Sequence, residues 1–325
     1  MGGLTMDVVV AVDGGGTKTD VAVLDLDGQV LARSRAGAFL PQFIGPAASV
    51  EQLDKVAAGL LDELGHPRVV GGGVYFSGLD FPFEVDAFRA ELERRPWASP
   101  RLLVDNDTFA LLRAGTDEPT AVAIICGTGM NCVGRSADGR VVRFAAIGSL
   151  SGDWGGGGSL GRDAIWHAAR AADGRGPATA LEALTCAALG RTSMADVIIG
   201  FHIGELNQDR ISELAPLVFE AAAGGDEVAA GVIQRLADEI TAFAVATLKR
   251  LGVLGQPCPV LLGGGIIAAR HESLLRAVDV GLAERAPGAY TVIISEPPIL
   301  GAALLAFDAL GAGTDVSAQV RASLR

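Results

Sequence analysis

The segment Val8–Asp20, VVVAVDGGGTKTD, decides the fold class of this chain. Its apolar, β-branched start predicts a buried strand that ends at Asp13, directly before a glycine triplet. A Walker loop or a dinucleotide-binding fingerprint needs a helix immediately after its glycines. Here a second apolar strand pattern, Val21–Leu26, follows instead, and a D-G turn separates it from a third. The segment therefore predicts a β-hairpin with glycines at its tip and excludes both helix-opening loops.

The same pattern returns in the middle of the chain. Thr120–Cys126 is a predicted strand, Gly127-Thr128-Gly129 follows it, and a second D-G turn separates the predicted strands Asn131–Arg135 and Arg140–Ala145. Such self-similarity indicates a duplicated α/β domain, each copy opening with a strand, glycines and a hairpin. Two unrelated hairpins remain the alternative, because D-G turns are common. A natural boundary lies at Thr116–Pro119.

Composition narrows the class of protein. The 325 residues are 50% hydrophobic and 20% charged, which excludes disorder and predicts a large folded core. The net charge of −12 argues against a nucleic-acid partner. Apolar runs stay far below the roughly 20 residues that cross a bilayer, and the start MGGLTM lacks a basic leader, so a cytoplasmic protein is expected. The four cysteines form no C-x-x-C pair and are interpreted as buried reduced thiols.

Several helices are predicted between and after the two copies. In the first half, Glu51–Leu64 and Val85–Arg94 are predicted helices because of the spacing of their apolar residues. A third predicted helix, Thr108–Ala114, is the last element before the boundary. The second half carries a largely helical insert, and an apolar helix, Ile299–Leu310, opens after a proline pair. The helices predicted for the insert are Leu160–Ala172, Ala178–Leu189, Met194–Ile199, Ser212–Ala223 and Asp226–Leu251, and a further helix runs from the glycines 263–265 to Arg285.

Both glycine loops have the composition of phosphate-binding loops. Glycine lets backbone N–H groups converge on an anion, and a threonine hydroxyl adds a donor. A tight turn is the alternative for a lone triplet, and we favour it for Gly71–Gly73. Asp13, at its strand end, is predicted to hold Mg²⁺ through water. The residues predicted to contact phosphate are Gly14, Gly15, Gly16, Thr17, Lys18, Thr19, Gly127, Thr128 and Gly129.

Two further segments carry side chains suited to a substrate. Asp107 follows a predicted strand, Leu102–Val104, at the edge where open α/β sheets bind ligands, and it can act as a base toward a hydroxyl group. The alternative, which does not exclude the first, is that Asp107 caps the next helix. In the glycine-rich stretch 148–158, Asp153 can accept hydrogen bonds from sugar hydroxyls and Trp154 can stack on a sugar ring. A plain mobile linker is the alternative for that stretch.

Five segments in this order resemble the BadF/BadG/BcrA/BcrD-type ATPases, and specifically the N-acetylglucosamine kinase-like members of the actin, hexokinase and Hsp70 superfamily. They are similar to the phosphate-1, acceptor-base, phosphate-2, glycine-rich and adenosine motifs of that family. The segments are VDGGGTKTD (12–20), DNDTFALLRAG (105–115), CGTGMNCVGR (126–135), GDWGGGGSLGRDAI (152–165) and VLLGGGI (260–266).

The resemblance implies two ribonuclease-H-like domains with a cleft between them. Residues 1–116, completed by 299–325, would form the first domain and residues 117–298 the second. The implied reaction is transfer of the γ-phosphoryl group of MgATP to a sugar hydroxyl, with Asp107 as the catalytic base and a homodimer as the assembly. The resemblance adds Gly263, Gly264 and Gly265 as adenosine-binding residues, and Asn106, Asp107, Gly148, Asp153 and Trp154 as substrate-binding residues.

This chain departs from the family pattern where sugar is contacted. The segment 36–45, AGAFLPQFIG, lacks the family's usual Asn, and Trp154 stands where a Glu is usual. N-acetylglucosamine is the expected substrate, and glucosamine, glucose and N-acetylmuramic acid stay open. An activator ATPase acting on a 2-hydroxyacyl-CoA dehydratase or benzoyl-CoA reductase is the main alternative, although Cys126 and Cys132 are not arranged for its iron–sulfur cluster. A DNA-binding sugar sensor is disfavoured by the acidic balance and by the short segment before the first strand.

Overall fold

The computed structural model describes residues 6–325, so most of the start on which the expectation about a leader rests, MGGLT, lies outside the described residues. Its contacts divide the chain into two compact units. One unit comprises the residues up to Ala123 together with Ile294–Arg325, and the other comprises Ile124–Ile293. The domain limits expected from the sequence, 116/117 and 298/299, stay a prediction. Each unit is described by itself.

The first unit is built on a five-stranded sheet in the order β3-β2-β1-β4-β5. The hairpin predicted from Val8–Asp20 is confirmed, because β1 and β2 pair antiparallel with Gly14 opposite Thr19. β4 and β5 continue the sheet in parallel with β1, so the ends of β1, β4 and β5 meet at one edge. The strands are β1 (Asp7–Gly14), β2 (Lys18–Asp25), β3 (Val30–Gly37), β4 (Arg68–Phe76) and β5 (Leu102–Asn106).

Helices cover both faces of this sheet. Because side chains alternate along a strand, Val8, Val10 and Val12 of β1 enter a core with α2 and α3. Val9 and Ala11 enter another core with α4 and the two C-terminal helices. The chain after Leu310 forms one more helix than the sequence indicated. The helices of this unit, numbered in chain order, are α1 (Pro41–Ile44), α2 (Pro46–Glu63), α3 (Pro82–Leu92), α4 (Asp107–Gly115), α12 (Pro298–Leu310) and α13 (Thr314–Leu324).

The second unit has its own five-stranded sheet, in the order β10-β9-β6-β7-β8. The second predicted hairpin is confirmed by the antiparallel pairing of β7 and β8, although β8 is shorter than the predicted Arg140–Ala145. β6 begins in the last residues of the first unit and runs into this sheet. The strands are β6 (Ala121–Cys126), β7 (Met130–Arg135), β8 (Val141–Arg143), β9 (Cys258–Gly263) and β10 (Ala289–Ile293).

The helical insert is confirmed, with two corrections. The helix predicted from the glycines to Arg285 is broken, because Arg270 adopts a left-handed conformation with φ 53°. The helix predicted over Ser212–Ala223 is a 3₁₀ turn, Gln208–Leu214, followed by a separate helix. The helices are α5 (Gly156–Ala172), α6 (Leu181–Ala188), α7 (Met194–His202), α8 (Ala215–Ala223), α9 (Glu227–Leu251), α10 (Gly265–Ala268) and α11 (Glu272–Arg285). Among residues 6–325, none of the helices is both long and apolar enough to span a membrane.

Candidate active site

Asp107 is the first residue of α4, at the edge where β5 ends. The helix cap is its neighbour Asn106, whose side-chain oxygen accepts a hydrogen bond from the backbone N–H of Thr108 at 3.0 Å. The interpretation of Asp107 as the cap is therefore wrong. The Asn106 amide nitrogen also donates to Asp80 Oδ1 at 3.0 Å. Asn106 is thereby fixed on both sides, and the Asp107 carboxylate is left free of the capping role.

Asp107 is partly buried and shares its surroundings with a buried carboxylate, Asp13, at the end of β1. Burial, followed by the charges of Asp13 and Asp80, raises the pKa of Asp107 from 3.8 to about 8. Asp13 is only 5% exposed, and its burial, followed by the charge of Asp20, raises its pKa to about 7. Two carboxyl groups with raised pKa values in one place form an arrangement that a proton or a divalent cation stabilises.

Basic side chains of β2 and β3 converge on Asp20. Arg35 donates two hydrogen bonds to this carboxylate, from Nε at 2.8 Å and from Nη2 at 3.0 Å, and Lys18 Nζ lies 3.5 Å from Asp20 Oδ2. Asp20 is buried, and the Arg35 guanidinium and the Lys18 ammonium hold its pKa below its usual value against the cost of burial. Sequence reasoning missed Asp20 and Arg35. The strand register could have revealed both residues, because Asp20 of β2 lies opposite Asp13 of β1 on one side and opposite Arg35 of β3 on the other.

Residues of the predicted phosphate-1 loop play unequal parts in the structure. Gly16, Thr17 and Lys18 are exposed at the hairpin tip, while the Gly15 N–H donates to the Lys18 carbonyl at 2.9 Å and closes the turn. A Cβ on Gly14 would overlap the ring of Phe76. Thr19 is buried, and its hydroxyl has no hydrogen-bond partner among the described residues. The exposed tip therefore offers the groups most accessible to an anion.

Three glycine segments predicted separately come together in the second unit. The N–H groups of Gly157 and Gly158, in the first turn of α5, donate to the carbonyls of Gly127 at 2.7 Å and Thr128 at 2.9 Å. A Cβ on Gly156 would lie 2.6 Å from the carbonyl carbon of Gly129. Gly156–Gly158 are therefore helical and closely packed, and their interpretation as a mobile linker is wrong.

The predicted adenosine motif contributes to the same centre. Gly264 has φ 93° and would place a Cβ 2.5 Å from the carbonyl carbon of Cys126, while the Cβ of a substituted Gly127 would lie 4.0 Å from the Gly265 nitrogen. Gly263 ends β9, and Gly265 begins α10. Backbone groups of β6, α5 and α10 thus meet with no side chains between them, as a loop that binds phosphate through N–H groups requires.

The predicted substrate loop is ordered by its own side chains. Gly148 begins a 3₁₀ turn, and its N–H donates to Asp153 Oδ2 at 3.0 Å. The other Asp153 oxygen accepts a hydrogen bond from Ser151. The Arg235 guanidinium lies 3.9 Å from the centre of the Trp154 ring, so one face of that ring is covered. Substrate contacts by Gly148, Asp153 and Trp154 stay predictions, and any stacking on Trp154 must use its other face.

The four cysteines are buried thiols, as the sequence indicated. Burial raises the pKa of the Cys126 thiol, and likewise that of Cys132, to about 12. Within residues 6–325, no group of three or more His, Cys, Asp or Glu side chains could hold a metal ion. A metal ion at Asp13 would therefore take most of its ligands from water or from a bound phosphate, as Mg²⁺ commonly does.

Substitution of Asp13 by Asn is expected to stabilise the nucleotide-free protein in a pH-dependent manner. The stability contributed by protonated Asp13 is fully present below its unfolded pKa of 3.8 and is lost as pH rises through about 7. Asn imitates the protonated form at every pH. In thermal melts with a chelator present, the Tm of Asp13→Asn should therefore exceed that of the wild type by more at pH 8 than at pH 5.

The matched control for this pH effect is Asp20→Asn. The lowered pKa of Asp20 means that its charge contributes stability above pH 3.8, which is lost only as pH falls through the folded value. Asp20→Asn should therefore lower Tm at pH 8. A pH-independent gap between Asp13→Asn and the wild type would contradict the raised pKa of Asp13.

The two sheets and the glycine centre define the protein as an α/β protein of the actin-like ATPase fold. A ROK family glucokinase from Streptomyces griseus, solved with glucose and AMPPNP, is similar with TM-score 0.58 and 20% identity, over 93% of this chain and 99% of that one. A Chromobacterium violaceum protein assigned as an N-acetylglucosamine kinase is similar with TM-score 0.72 and 24% identity, over 92% and 99%. At these identities the similarity shows the fold alone.

The chain belongs to the BadF/BadG/BcrA/BcrD ATPase family, whose sequence profile matches residues 10–306. Two relatives extend over most of it. The N-acetyl-D-glucosamine kinase of Dictyostelium discoideum is 27% identical over 317 residues, 94% of this chain and 99% of that protein. The N-acetylmuramic acid/N-acetylglucosamine kinase of Clostridium acetobutylicum is 27% identical over 272 residues, 81% of this chain and 86% of that protein. The family resemblance found in the sequence is confirmed.

Proposed function

We propose that this protein is an ATP-dependent amino sugar kinase that transfers the γ-phosphoryl group of MgATP to a hydroxyl of N-acetylglucosamine. The observation that carries the proposal is Asp107, a carboxylate at the start of α4 whose pKa is raised to about 8. A base of this strength is suited to accept a proton from a sugar hydroxyl near neutral pH. The names of the two curated relatives supply the substrate class.

In the proposed reaction, the proton of the acceptor hydroxyl moves to an Asp107 oxygen. The sugar oxygen forms a bond to the γ-phosphorus, the bond from that phosphorus to the bridging oxygen breaks, and ADP leaves with the electron pair. Catalysis of this kind depends on positioning and on charge neutralisation. Asn106 donates a hydrogen bond to Asp80 Oδ1 at 3.0 Å. This contact fixes the residue before α4, and Asp107 is the first residue of that helix.

The phosphates of ATP are assigned to the backbone N–H groups and threonine hydroxyls of the two glycine loops. In the first loop, Lys18 adds a positive charge at the exposed tip. In the second, the Thr128 hydroxyl and the Gly129 backbone are assigned to the phosphates, because the N–H groups of Gly157 and Gly158 at the start of α5 already donate to the carbonyls of Gly127 and Thr128. Gly263–Gly265 are proposed to receive the adenosine, because Gly264 packs directly against Cys126 at the end of β6 while a Cβ on Gly265 would meet nothing within 4 Å, which leaves open space beside it.

Magnesium fits the environment of Asp13. This carboxylate is buried and carries a raised pKa, so a divalent cation would favour its ionised form. When bound, Mg²⁺ would neutralise charge on the phosphates of ATP. We assign Asp13 to hold it through water, and the Arg35 charge remains paired with Asp20.

The activator-ATPase alternative is disfavoured by the state of two thiols. Iron–sulfur clusters are ligated by thiolates, whereas Cys126 and Cys132 are fully buried with pKa values near 12. Thr247 lies 3.2 Å from the Cys132 sulfur and further encloses it. Action in the cytoplasm, which the sequence led us to expect, and assembly into a homodimer, which the family resemblance implies, are retained as proposals.

The decisive experiment is an ADP-release assay with MgATP against N-acetylglucosamine, glucosamine, glucose and N-acetylmuramic acid. We expect ADP release that requires a sugar, is greatest with N-acetylglucosamine and disappears when a chelator removes Mg²⁺. Mass spectrometry of the product should give one phosphate per sugar. Slow ADP release that no sugar accelerates would contradict the kinase assignment and favour an ATPase that acts on a protein partner.

A further inference from the structure

A cavity of about 240 Å³ lies in the second unit, between α9 and the segment that runs from Phe144 to Asp153. One wall is formed by Glu239, Ala242 and Phe243 of α9. The opposite wall belongs to the segment predicted to contact substrate. Its volume is somewhat below the roughly 300–1,000 Å³ of pockets for drug-sized ligands. The cavity therefore suits a ligand the size of a single sugar.

The cavity has a firm apolar wall. Phe144 and Phe243 pack edge to face with ring centroids 4.8 Å apart, and the Arg250 guanidinium covers the Phe144 ring at 5.0 Å. Ala242, one turn beyond Glu239 on α9, leaves the space open because its side chain is a single methyl group. Such a wall can contact the C–H face of a sugar ring, while polar groups elsewhere select its substituents.

Two carboxylates line the cavity, and they differ in how many hydrogen bonds they already accept. Each oxygen of Asp153 accepts one hydrogen bond from its own loop, from Gly148 or from Ser151, so Asp153 has less capacity left for a ligand. Glu239 is partly buried, and it makes no hydrogen bond or ion pair with any residue in the described part of the chain. The Arg250 guanidinium lies over the Phe144 ring. Its Nη1 donates a hydrogen bond to the Arg143 carbonyl at 3.4 Å. Glu239 is thus an uncompensated acceptor facing a sugar-sized space.

We propose that this cavity is the substrate subsite of the second unit, and that Glu239 makes the protein select neutral or amine-bearing sugars and reject those with a carboxylate. Glu239 accepts hydrogen bonds from sugar hydroxyls or from a free amine. The lactyl carboxylate of N-acetylmuramic acid, placed in the same cavity, would face a like charge in a partly desolvated setting. This inference rests on the proposed function, and it predicts a substrate preference different from that of the Clostridium acetobutylicum relative, which is named for both sugars.

The test compares kcat and KM for N-acetylglucosamine and N-acetylmuramic acid in the wild type, Glu239→Gln and Asp238→Asn. Asp238 is the matched control, because it is adjacent on α9, is exposed, bonds to Gln234 and does not line the cavity. We expect the wild type to prefer N-acetylglucosamine by kcat/KM, and Glu239→Gln to improve kcat/KM for N-acetylmuramic acid about tenfold, mainly through KM. Asp238→Asn should leave the ratio unchanged.

Filling the space provides a second test that keeps the charge. Ala242→Leu should raise the KM for N-acetylglucosamine while leaving the KM for ATP unchanged, and leucine suits a helix position. An unchanged sugar preference in Glu239→Gln, or a shift of equal size in Asp238→Asn, would overturn the inference. So would a wild type that prefers N-acetylmuramic acid. A wild type with no sugar-dependent ADP release would instead overturn the proposed function itself, so the two failures are distinguishable.

Discussion

Asp107→Asn should lower the rate of phosphoryl transfer by roughly 10²- to 10⁴-fold, the range measured when a positioned general base is removed. Asn keeps the size of the side chain and can hydrogen-bond the acceptor hydroxyl, but it cannot take the proton. Asn106 still caps α4 through Thr108, so the helix start should be unchanged. We therefore expect the loss in kcat, with the dissociation constant for ATP preserved.

The matched control is Asp105→Asn, two residues earlier on β5. Asp105 lies close to the buried Tyr75, whose pKa its charge helps to raise, and it has no assigned part in the reaction. ADP release at saturating sugar and nucleotide titration by calorimetry give the two readouts. Near-normal turnover in Asp107→Asn would remove Asp107 as the base. Equal losses in both variants would mean that any change of charge where β5 meets α4 is disruptive.

The pH profile of the wild type provides an independent check on the same group. A base with a pKa of about 8 in the ligand-free protein is protonated at low pH. The value of kcat/KM for sugar, which reports the ionisation of the free enzyme, should then rise with pH as Asp107 loses its proton. Where bound Mg²⁺ favours the ionised carboxylate, this rise should occur at lower pH.

Most of the fold could be predicted from short local patterns in the sequence. The run Val8–Val12 and its copy before Gly127 contain the strand, the glycines and the hairpin turn within a few residues, so each could be interpreted without knowing its neighbours. Helix ends were less predictable. The break at Arg270 depends on one left-handed residue with an ordinary side chain, and sequence propensity gives no warning of it.

The candidate site was predictable only where chemistry and spacing coincide in the sequence. Asp107 and Asp13 could be named because each follows a strand. The raised pKa of Asp107 depends on burial and on two carboxylates far away in the sequence, Asp13 and Asp80, which no local pattern reveals. The pairing of Arg235 with Trp154 joins the substrate loop to α9 across the insert, and it became visible only in the folded chain.

The glycines of the second centre show the same limit. Composition left a mobile linker open as the alternative for the stretch 148–158, because flexible linkers and tightly packed backbones both favour glycine. The distinction is physical. A Cβ on Gly156 would lie 2.6 Å from the Gly129 carbonyl carbon, so these residues lack side chains because two segments of backbone touch.

Gly301→Ala is expected to destabilise the first unit by about 3 kcal/mol, the upper part of the usual range for an overpacked core. Gly301 lies on α12, where it faces the backbone of α4. A Cβ there would overlap the Ala110 carbonyl oxygen and lie 2.9 Å from the Ala114 nitrogen. Because both partners are backbone, no side-chain rotation can relieve the overlap, and the helices must separate. Tm should fall by roughly 10 °C.

Gly59→Ala on α2 separates this effect from the general effect of replacing a helical glycine. Gly59 is exposed, and a Cβ there would meet nothing within 4 Å. Alanine has the better helix propensity, so this variant should gain roughly 0.5–1 kcal/mol. The two substitutions are chemically identical and should move Tm in opposite directions. A Gly301→Ala protein that melts at the wild-type temperature would contradict the close approach of α12 and α4.

Activity should report the same contact, because α4 carries Asp107 at its first residue and Ala110 one turn later. If α12 displaces α4 in Gly301→Ala, the base moves with the helix. At a temperature where the variant is still folded, kcat should therefore fall, while Gly59→Ala keeps the wild-type value. Loss of stability with unchanged kcat would mean that the strain is absorbed by α12, and that the position of Asp107 is set by β5 and the Asn106 cap alone.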